Sequence, residues 1–277
     1  MYQNGLRNFS VTWHTIQSLR ISTYHYLISL LATDLVTTFI RFPWKGGAVK
    51  IPLSSTIPFI LLPGLMMLAS VHYVMAILVF TLLLPSLFLF LIRIIVRHKP
   101  KTRFFINWSI VTTLFLFYVY EVKAVGTFWD LPKLISWYEN LVLVLGMFGS
   151  AVCCWKLKSD FSRSNLKEGK MCRVCEVHVK DRDHHCVWID MCIHNDNLNL
   201  FIVFLMVTCF TCAHLALMLC SYACPGTLLG PVLLPDICWP DKSTDALILV
   251  SGVYSGIIAT FLLILLIGYA CRKCRQT

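Results

Sequence analysis

The residues best suited to chemistry lie in one short polar segment in the second half of the chain. The tetrad Asp183-His184-His185-Cys186 is followed by Cys192, and the pair Cys172-x-x-Cys175 precedes it. A thiolate is the attacking form of cysteine, and a neighbouring imidazole can remove the thiol proton. Thiolate and imidazole are also ligands that zinc favours. The segment therefore combines the residue types of a nucleophilic site with those of a zinc site.

The segment holds more donors than one zinc ion uses, because a tetrahedral zinc takes four ligands. The candidate donors are Cys172, Cys175, His178, His184, His185, Cys186, Cys192 and His194. From spacing alone, Cys172 and Cys175 form a knuckle that needs two partners from the stretch His184 to Cys192. Cys186 is then a further ligand, a passive thiol or a nucleophile. We expect His178 and His194 to be solvated loop residues, because a lone histidine is weak evidence for a site.

The polar segment lies between stretches that are much more apolar than a soluble domain allows. Of the 277 residues, 57% are hydrophobic and only 14% are charged, which indicates an integral membrane protein. The net charge of +10 comes largely from lysines and arginines beside the apolar stretches. That placement is typical of contact with anionic lipid head groups, and we expect no nucleic-acid partner.

The apolar stretches predict six membrane-spanning helices. The stretch Ile51 to Val96 is about twice the roughly 20 residues that one helix needs, so it predicts two helices with a turn at Ser70 to Tyr73. The remaining four helices are predicted at Phe104 to Tyr120, Ser136 to Trp155, Leu200 to Tyr222 and Ala246 to Ala270. The stretch Tyr24 to Ile40 is shorter and carries Asp34 near its centre. It favours a helix in the membrane interface over a seventh span.

Basic residues predict which side of the membrane each connection faces. Lysines and arginines concentrate between the second and third helices, between the fourth and fifth, and after the sixth, so these parts are expected in the cytosol.

We divide the chain into an N-terminal segment 1–50, four helices in 51–155, a cytosolic cysteine-rich segment 156–199, two helices in 200–270 and a tail 271–277. Cys224 and Cys238, in a loop expected to be lumenal, are the two cysteines that could form a disulfide. The predicted fold class is an all-α polytopic membrane protein with a small cytosolic cysteine-rich loop. That loop is too short to form an apolar core of its own, and a bound structural metal usually stabilises a module of that size.

The segment from Cys172 to Asn197 resembles the cysteine-rich domain of the DHHC protein S-acyltransferases. The tetrad carries the resemblance together with Trp188, Cys192 and Asn197, which stand two, six and eleven residues after Cys186. The order of the spans around the tetrad is also similar to that family. Six spans, four of them before the loop, are similar to its huntingtin-interacting branch, without the ankyrin repeats of that branch.

The resemblance implies a role for each residue of the tetrad. Cys186 would be the nucleophile, His184 its general base and Asp183 the group that orients His184. The zinc ligands would be Cys172, Cys175, His185 and Cys192. The implied substrates are a fatty acyl-CoA, most often palmitoyl-CoA, and cysteines of membrane-associated proteins at the endoplasmic reticulum or Golgi.

Basic residues near the tetrad suit the phosphates of an acyl-CoA, although ordinary lipid contact explains them equally well. They are Lys167, Lys170, Arg173, Lys180 and Arg182. Cys271 and Cys274 lie beside the last span, where cysteines can accept acyl chains.

Several positions depart from the family pattern. The second zinc site of the family would fall on Lys158, Phe161, Met171 and His178, of which only the last is a metal donor. The Asp-Pro-Gly motif appears as Asp160-Phe161-Ser162, Val187 replaces a proline, and no Thr-Thr-x-Glu segment is present up to Thr277. We therefore expect one zinc site. The alternative function is a zinc-stabilised membrane adaptor that does not transfer acyl groups.

Overall fold

The computed structural model describes residues 39–44, 47–98, 103–125, 137–163, 169–224, 239–240 and 242–274. Within these residues, six helices are long and apolar enough to cross a membrane. The predicted number of spans and the helical fold class are confirmed. The described part also contains three two-stranded antiparallel sheets, which the sequence analysis did not predict.

The chain enters the helical bundle through a hairpin of two strands, β1 (Phe39–Trp44) and β2 (Gly47–Pro52). Phe39 and Ile40 belong to β1, so the end of the predicted interfacial helix is wrong; the rest of that stretch lies outside the described residues. Strand β2 leads directly into the first helix, which places the hairpin at that end of the bundle.

The first two spans connect where the sequence predicts. Helix α1 (Leu53–Ser70) ends at a turn before helix α2 (Tyr73–Leu78), and a π-helical turn then leads into helix α3 (Leu84–His98). The π-helical turn spans Val79–Leu83 and comes just before Pro85. A proline has no N–H for the preceding turn and its ring crowds that turn, so a wider turn relieves the helix.

The remaining helices are longer than their predicted apolar cores. They are α4 (Phe104–Tyr118), which continues as a π-helix over Val119–Val125, α5 (Trp137–Arg163), α6 (Asn195–Ala223) and α7 (Ser243–Cys274). Helices α5, α6 and α7 therefore extend past the apolar stretches towards the polar segment. After α6, Cys224 is disulfide-bonded, as predicted for it, and Cys238 lies outside the described residues.

Small residues allow these long helices to approach closely. A Cβ atom added to Gly252 of α7 would lie 2.9 Å from Cys220 Sγ of α6, and one added to Gly146 of α5 would collide with Thr211 of α6. Lipid provides no hydrophobic drive for association, so close backbone packing is a main source of stability. Helix α6 is thus fixed against both α5 and α7, and these three helices carry the polar segment.

A buried hydrogen-bond group ties α7 to α4. The indole N–H of Trp108 donates to the hydroxyl oxygen of Tyr254 at 3.0 Å, and the hydroxyl of Thr112 lies 3.1 Å from the same oxygen. Trp108 and Tyr254 are 2% and 5% exposed. In lipid such polar groups need internal partners, so the group selects one register between the two helices.

We expect Tyr254→Phe to lower the free energy of unfolding in detergent by about 1 kcal/mol, because it removes the hydroxyl that is the shared hydrogen-bond partner of Trp108 and Thr112. Tyr118→Phe is the matched control, since Tyr118 is 47% exposed and the chemical change is identical. Thermal or denaturant unfolding measures both. Equal stability of the two variants would contradict a structural role for this group.

Candidate active site and metal centre

The polar segment folds as two short antiparallel ribbons. Strands β3 (Lys170–Cys172) and β4 (Val177–Val179) form the first, and strands β5 (Arg182–Cys186) and β6 (Met191–His194) form the second. Among the described residues, three non-glycine residues have positive φ angles, and they occupy the turns after β3, β4 and β5: Glu176, Asp181 and Asp190. The tight turns bring distant donors together without an apolar core of ordinary size.

Four donors converge between the ribbons. His185 and Cys192 are directly paired across β5 and β6, while Cys172 ends β3 and Cys175 lies in the turn after it. The Nδ1 atom of His185 lies 3.8 Å from Cys172 Sγ, 3.3 Å from Cys175 Sγ and 3.8 Å from Cys192 Sγ. All four ligand atoms lie within 4.8 Å of one another. This is the ligand set expected from the family resemblance.

The donor set fits a zinc ion in both geometry and charge. Ligand atoms of a tetrahedral zinc stand about 3.5 to 3.8 Å apart, given bonds of about 2.3 Å to sulfur and 2.1 Å to nitrogen. A hydrogen bond from the Cys192 thiol lowers the pKa of Cys175 to about 4, and the same contact raises the pKa of Cys192. An ionised Cys175 thus opposes ionisation of Cys192, and a bound cation removes that opposition. The four residues could hold zinc as a structural ion.

The far nitrogen of His185 faces an acid. Its Nε2 atom lies 3.7 Å from Asp190 Oδ1, on the side away from the sulfurs. A carboxylate on the second nitrogen fixes the ring orientation of a ligating histidine. Asp190 is in a left-handed turn conformation with φ of 50°, which aspartate tolerates better than most residues.

Alternation along β5 separates the two histidines of the tetrad. Successive side chains of a strand point to opposite faces, so His184 and Cys186 share one face while His185 occupies the other. The pairing is regular over this stretch, with His184, His185 and Cys186 opposite Ile193, Cys192 and Met191. One strand therefore presents a metal donor on one side and a base with a thiol on the other.

Cys186 is buried at the end of the helical bundle. Its side chain is 9% exposed and belongs to an apolar cluster with residues of α5, α6 and α7, among them Leu157, Phe201 and Leu205. Burial raises the pKa of the Cys186 thiol, although backbone hydrogen bonds from Ile189 and Trp188 partly offset this effect. A thiol in such a place needs a base to remove its proton and has apolar surface beside it.

His184 has the partner predicted for a general base. Its Nδ1 atom lies 2.9 Å from Asp183 Oδ2. The ladder is irregular between Arg182 and His184, so Asp183 lies at a bulge without a partner on β6. Bulges re-aim side chains, and this one lets the carboxylate reach the ring of the following residue.

Helix α7 adds two residues that sequence reasoning missed. The Tyr269 hydroxyl donates to Asp183 Oδ2 at 3.3 Å and lies 3.4 Å from His184 Nδ1. The Arg272 guanidinium lies 3.7 Å from Asp183 Oδ1. Both residues look like ordinary anchors at the end of a span, where tyrosine and arginine are common, so their spacing carried no signal of a site.

The turn after Cys186 docks into the helices. The ring of Trp188 packs edge-on against Phe88 of α3 and Phe105 of α4, and its carbonyl accepts a hydrogen bond from Ser109 at 3.4 Å. The backbone N–H of Trp188 also donates a hydrogen bond to the Cys186 sulfur. The position of the thiol is thus fixed relative to the bundle.

Asn197 secures the other end of the ribbon. Its amide nitrogen donates to the carbonyl of Cys192 at 3.1 Å, and its oxygen accepts from the backbone N–H of His194 at 2.9 Å. The side chain is 3% exposed, so both bonds are shielded from water. Asn197 fixes the passage from β6 into α6 and therefore the place of the Cys192 donor.

The described basic residues that were predicted for acyl-CoA are spread over both ribbons. Lys170 and Lys180 lie near the same end of the first ribbon, whereas Arg173 lies in the turn at its other end. Arg182 is on β5 opposite His194. Lys167 lies outside the described residues.

The positions of the missing second zinc site hold other side chains. Phe161 of α5 packs against the cluster formed by Cys172, Val179 and Cys192. Lys158 and Met171 are exposed, and His178 is an exposed residue whose Nδ1 lies 3.0 Å from the carbonyl oxygen of Gly169. Within the described residues, one group of side chains meets the geometry of a metal site.

His194 differs from its prediction as a solvated residue. It is only 6% exposed, and its ring lies 6.4 Å from that of Phe161. The cause is that β6 continues without a break into α6, which encloses its last residue between the ribbon and α5.

Comparison with known proteins gives a consistent result. The family model for the DHHC palmitoyltransferases matches residues 162–277. The chain is 24% identical over 289 residues to palmitoyltransferase ZDHHC23 of Mus musculus, which covers 77% of this chain and 67% of that protein. It is 39% identical over 71 residues to palmitoyltransferase ERF2 of Kluyveromyces lactis, which covers 24% of this chain and 20% of that protein. No solved structure matches.

We expect Cys175→Ser to lose most of the bound zinc and Cys186→Ser to keep it, because only the first sulfur belongs to the four-donor group. The two variants carry the same chemical change in the same loop. Zinc per chain, measured by elemental analysis of purified protein, tests the assignment. Loss of zinc with Cys186→Ser and retention with His185→Ala would show that the tetrad has been assigned the wrong way round.

Proposed function

We propose that the chain is a member of the DHHC family of protein S-palmitoyltransferases, and that it carries a fatty acyl group from acyl-CoA to protein cysteines through a thioester on Cys186. The contact of Asp183 with His184, on the strand face that also presents Cys186, supports this proposal most directly. The alternative of an inactive adaptor is not favoured, because the relatives are named as palmitoyltransferases.

In the first half of the reaction, His184 removes the proton from Cys186 Sγ. The thiolate attacks the carbonyl carbon of the acyl-CoA thioester, the bond from that carbon to the CoA sulfur breaks, and CoA leaves with the proton from His184. Asp183 stabilises the imidazolium and holds the ring in the tautomer that leaves the other nitrogen available.

In the second half, a cysteine of a membrane-associated protein gives its proton to His184 and attacks the thioester on Cys186. The acyl group moves to the acceptor, and the Cys186 thiol is restored with the proton from His184. Zinc bound by Cys172, Cys175, His185 and Cys192 would supply structural rigidity, since its ligands lie on the face of β5 opposite the thiol.

The apolar cluster around Cys186 supports an acyl chain that enters between α5, α6 and α7. Each buried methylene contributes about 0.8 kcal/mol, so the chain is held strongly before any chemistry. The phosphates of CoA would remain in water near basic residues such as Lys170, Lys180 and Arg182. The lysines and arginines of the loops support a cytosolic orientation of this side of the protein. The family resemblance supports a membrane of the ER or Golgi.

We expect purified protein in detergent to become labelled by radioactive palmitoyl-CoA, with a label that hydroxylamine removes. Cys186→Ser should abolish this label, because it removes the attacking sulfur. A Cys271→Ser and Cys274→Ser double variant is the control for acylation elsewhere and should retain it. No label on folded, zinc-loaded wild-type protein would contradict transferase activity.

We expect Leu262→Trp to shift the preference towards shorter acyl chains, because Leu262 packs in the cluster that contains Cys186 and lies towards the membrane interior. Shortening the chain by two methylenes is worth about 1.6 kcal/mol, or roughly tenfold in the ratio of myristoyl to palmitoyl transfer.

Ile264→Trp is the matched control, because Ile264 is on the same helix but 62% exposed. Competition between acyl-CoA substrates of different length measures the ratio. An unchanged ratio in Leu262→Trp would reject this route for the chain.

A further inference from the structure

The ribbon that carries the catalytic pair does not by itself hold Asp183 in place. Asp183 lies at the bulge of β5, outside the regular ladder, and its side chain is 34% exposed. Water therefore competes for its carboxylate oxygens, and the carboxylate has other rotamers available. His184 is similarly exposed, at 36% of its side chain. The alignment of the pair needs a support from outside the ribbon.

We infer that Tyr269 is a positioning residue for acyl transfer, and that it acts with Arg272 to hold Asp183 against His184. The Tyr269 hydroxyl donates to the same carboxylate oxygen, Oδ2, that His184 Nδ1 approaches. Arg272 lies 3.7 Å from the other oxygen, Oδ1. The two oxygens of Asp183 are thus held from α7 on both sides, and rotation of the carboxylate would break both contacts.

Tyr269 is itself held by its neighbours. The guanidinium of Arg272 lies 4.4 Å from the centre of the Tyr269 ring, which is a cation–π contact. Phe201 of α6 meets the ring edge-on at 6.0 Å, and it meets the His184 ring edge-on at 5.7 Å. Helices α6 and α7 therefore present a rigid surface to the exposed side of the catalytic pair.

The contacts with Asp183 and Tyr269 determine which ring nitrogen of His184 can act as the base. With Nδ1 of His184 directed to Asp183 and the Tyr269 hydroxyl, Nε2 is the nitrogen left to act on the Cys186 thiol. Both residues project from the same face of β5. The inference rests on the proposed function, because it assigns Tyr269 and Arg272 to support that chemistry; neither residue contacts the reacting atoms.

Tyr269→Phe is the sharpest test, because it keeps the ring and its contacts with Phe201 and Arg272 and removes only the hydroxyl. We expect kcat for acyl-Cys186 formation to fall about tenfold with KM for palmitoyl-CoA unchanged, since one hydrogen bond to a charged group is lost. Zinc content and unfolding temperature should equal those of the wild type.

Tyr254→Phe is the matched control, with the same change about 22 Å away along the same helix. It should lower stability and leave kcat unchanged. Arg272→Gln should also lower kcat, and Arg272→Lys should recover part of the loss by restoring the positive charge. If Tyr269 acts through Asp183, the loss from Tyr269→Phe should disappear in an Asp183→Asn background, because the carboxylate that Tyr269 holds against His184 is then absent.

Two results would overturn the inference. One is a Tyr269→Phe enzyme with wild-type kcat, and the other is a full additional loss in the Asp183→Asn background. The first decides the question by itself where the Asp183→Asn background is too slow to follow. Failure of the wild-type protein to form the acyl-enzyme would instead count against the proposed function, so the two failures are distinguishable.

Discussion

The convergence of Cys172, Cys175, His185 and Cys192 is the constraint on which the rest of the site depends. The ribbons between α5 and α6 are too small to bury an apolar core, and their strands are only three to five residues long. The four-donor cluster takes the place of that core, and a zinc ion bound there would fix the register of β5 on β6. Once the register is fixed, strand alternation directs Cys186 away from the cluster and towards the helices.

The face of β5 that carries Cys186, opposite the metal donors, packs against the membrane-spanning helices. Cys186 packs among residues of α5, α6 and α7, and Trp188 packs edge-on against Phe88 and Phe105. The thiol therefore lies where a polar loop meets apolar helices. A substrate with a charged head and a long hydrocarbon chain would find the polar loop on one side of the thiol and the apolar helices on the other.

The departures from the family pattern have a physical compensation. Where a second metal site would lie, Phe161 packs on the side chains around Cys172 and Cys192, and His194 is buried beside it. Apolar packing from the extended end of α5 thus supports the first ribbon. The bulge at Asp183 is supported in a comparable way from α7, through Tyr269 and Arg272.

The sequence alone determined the number of spans and, through the family resemblance, the four metal donors that the fold brings together; the division of roles within the tetrad stays a prediction. These properties depend on apolar runs long enough to cross a bilayer and on residue types at short spacing, both of which are local. Only the tertiary structure decided the hairpin before α1, the bulge at Asp183, the burial of His194 and the contact of Tyr269 with His184. The last of these joins residues 85 positions apart. Such contacts depend on how helices pack, and a tyrosine at the end of a span has the same sequence pattern whether it anchors to lipid or supports a catalytic pair.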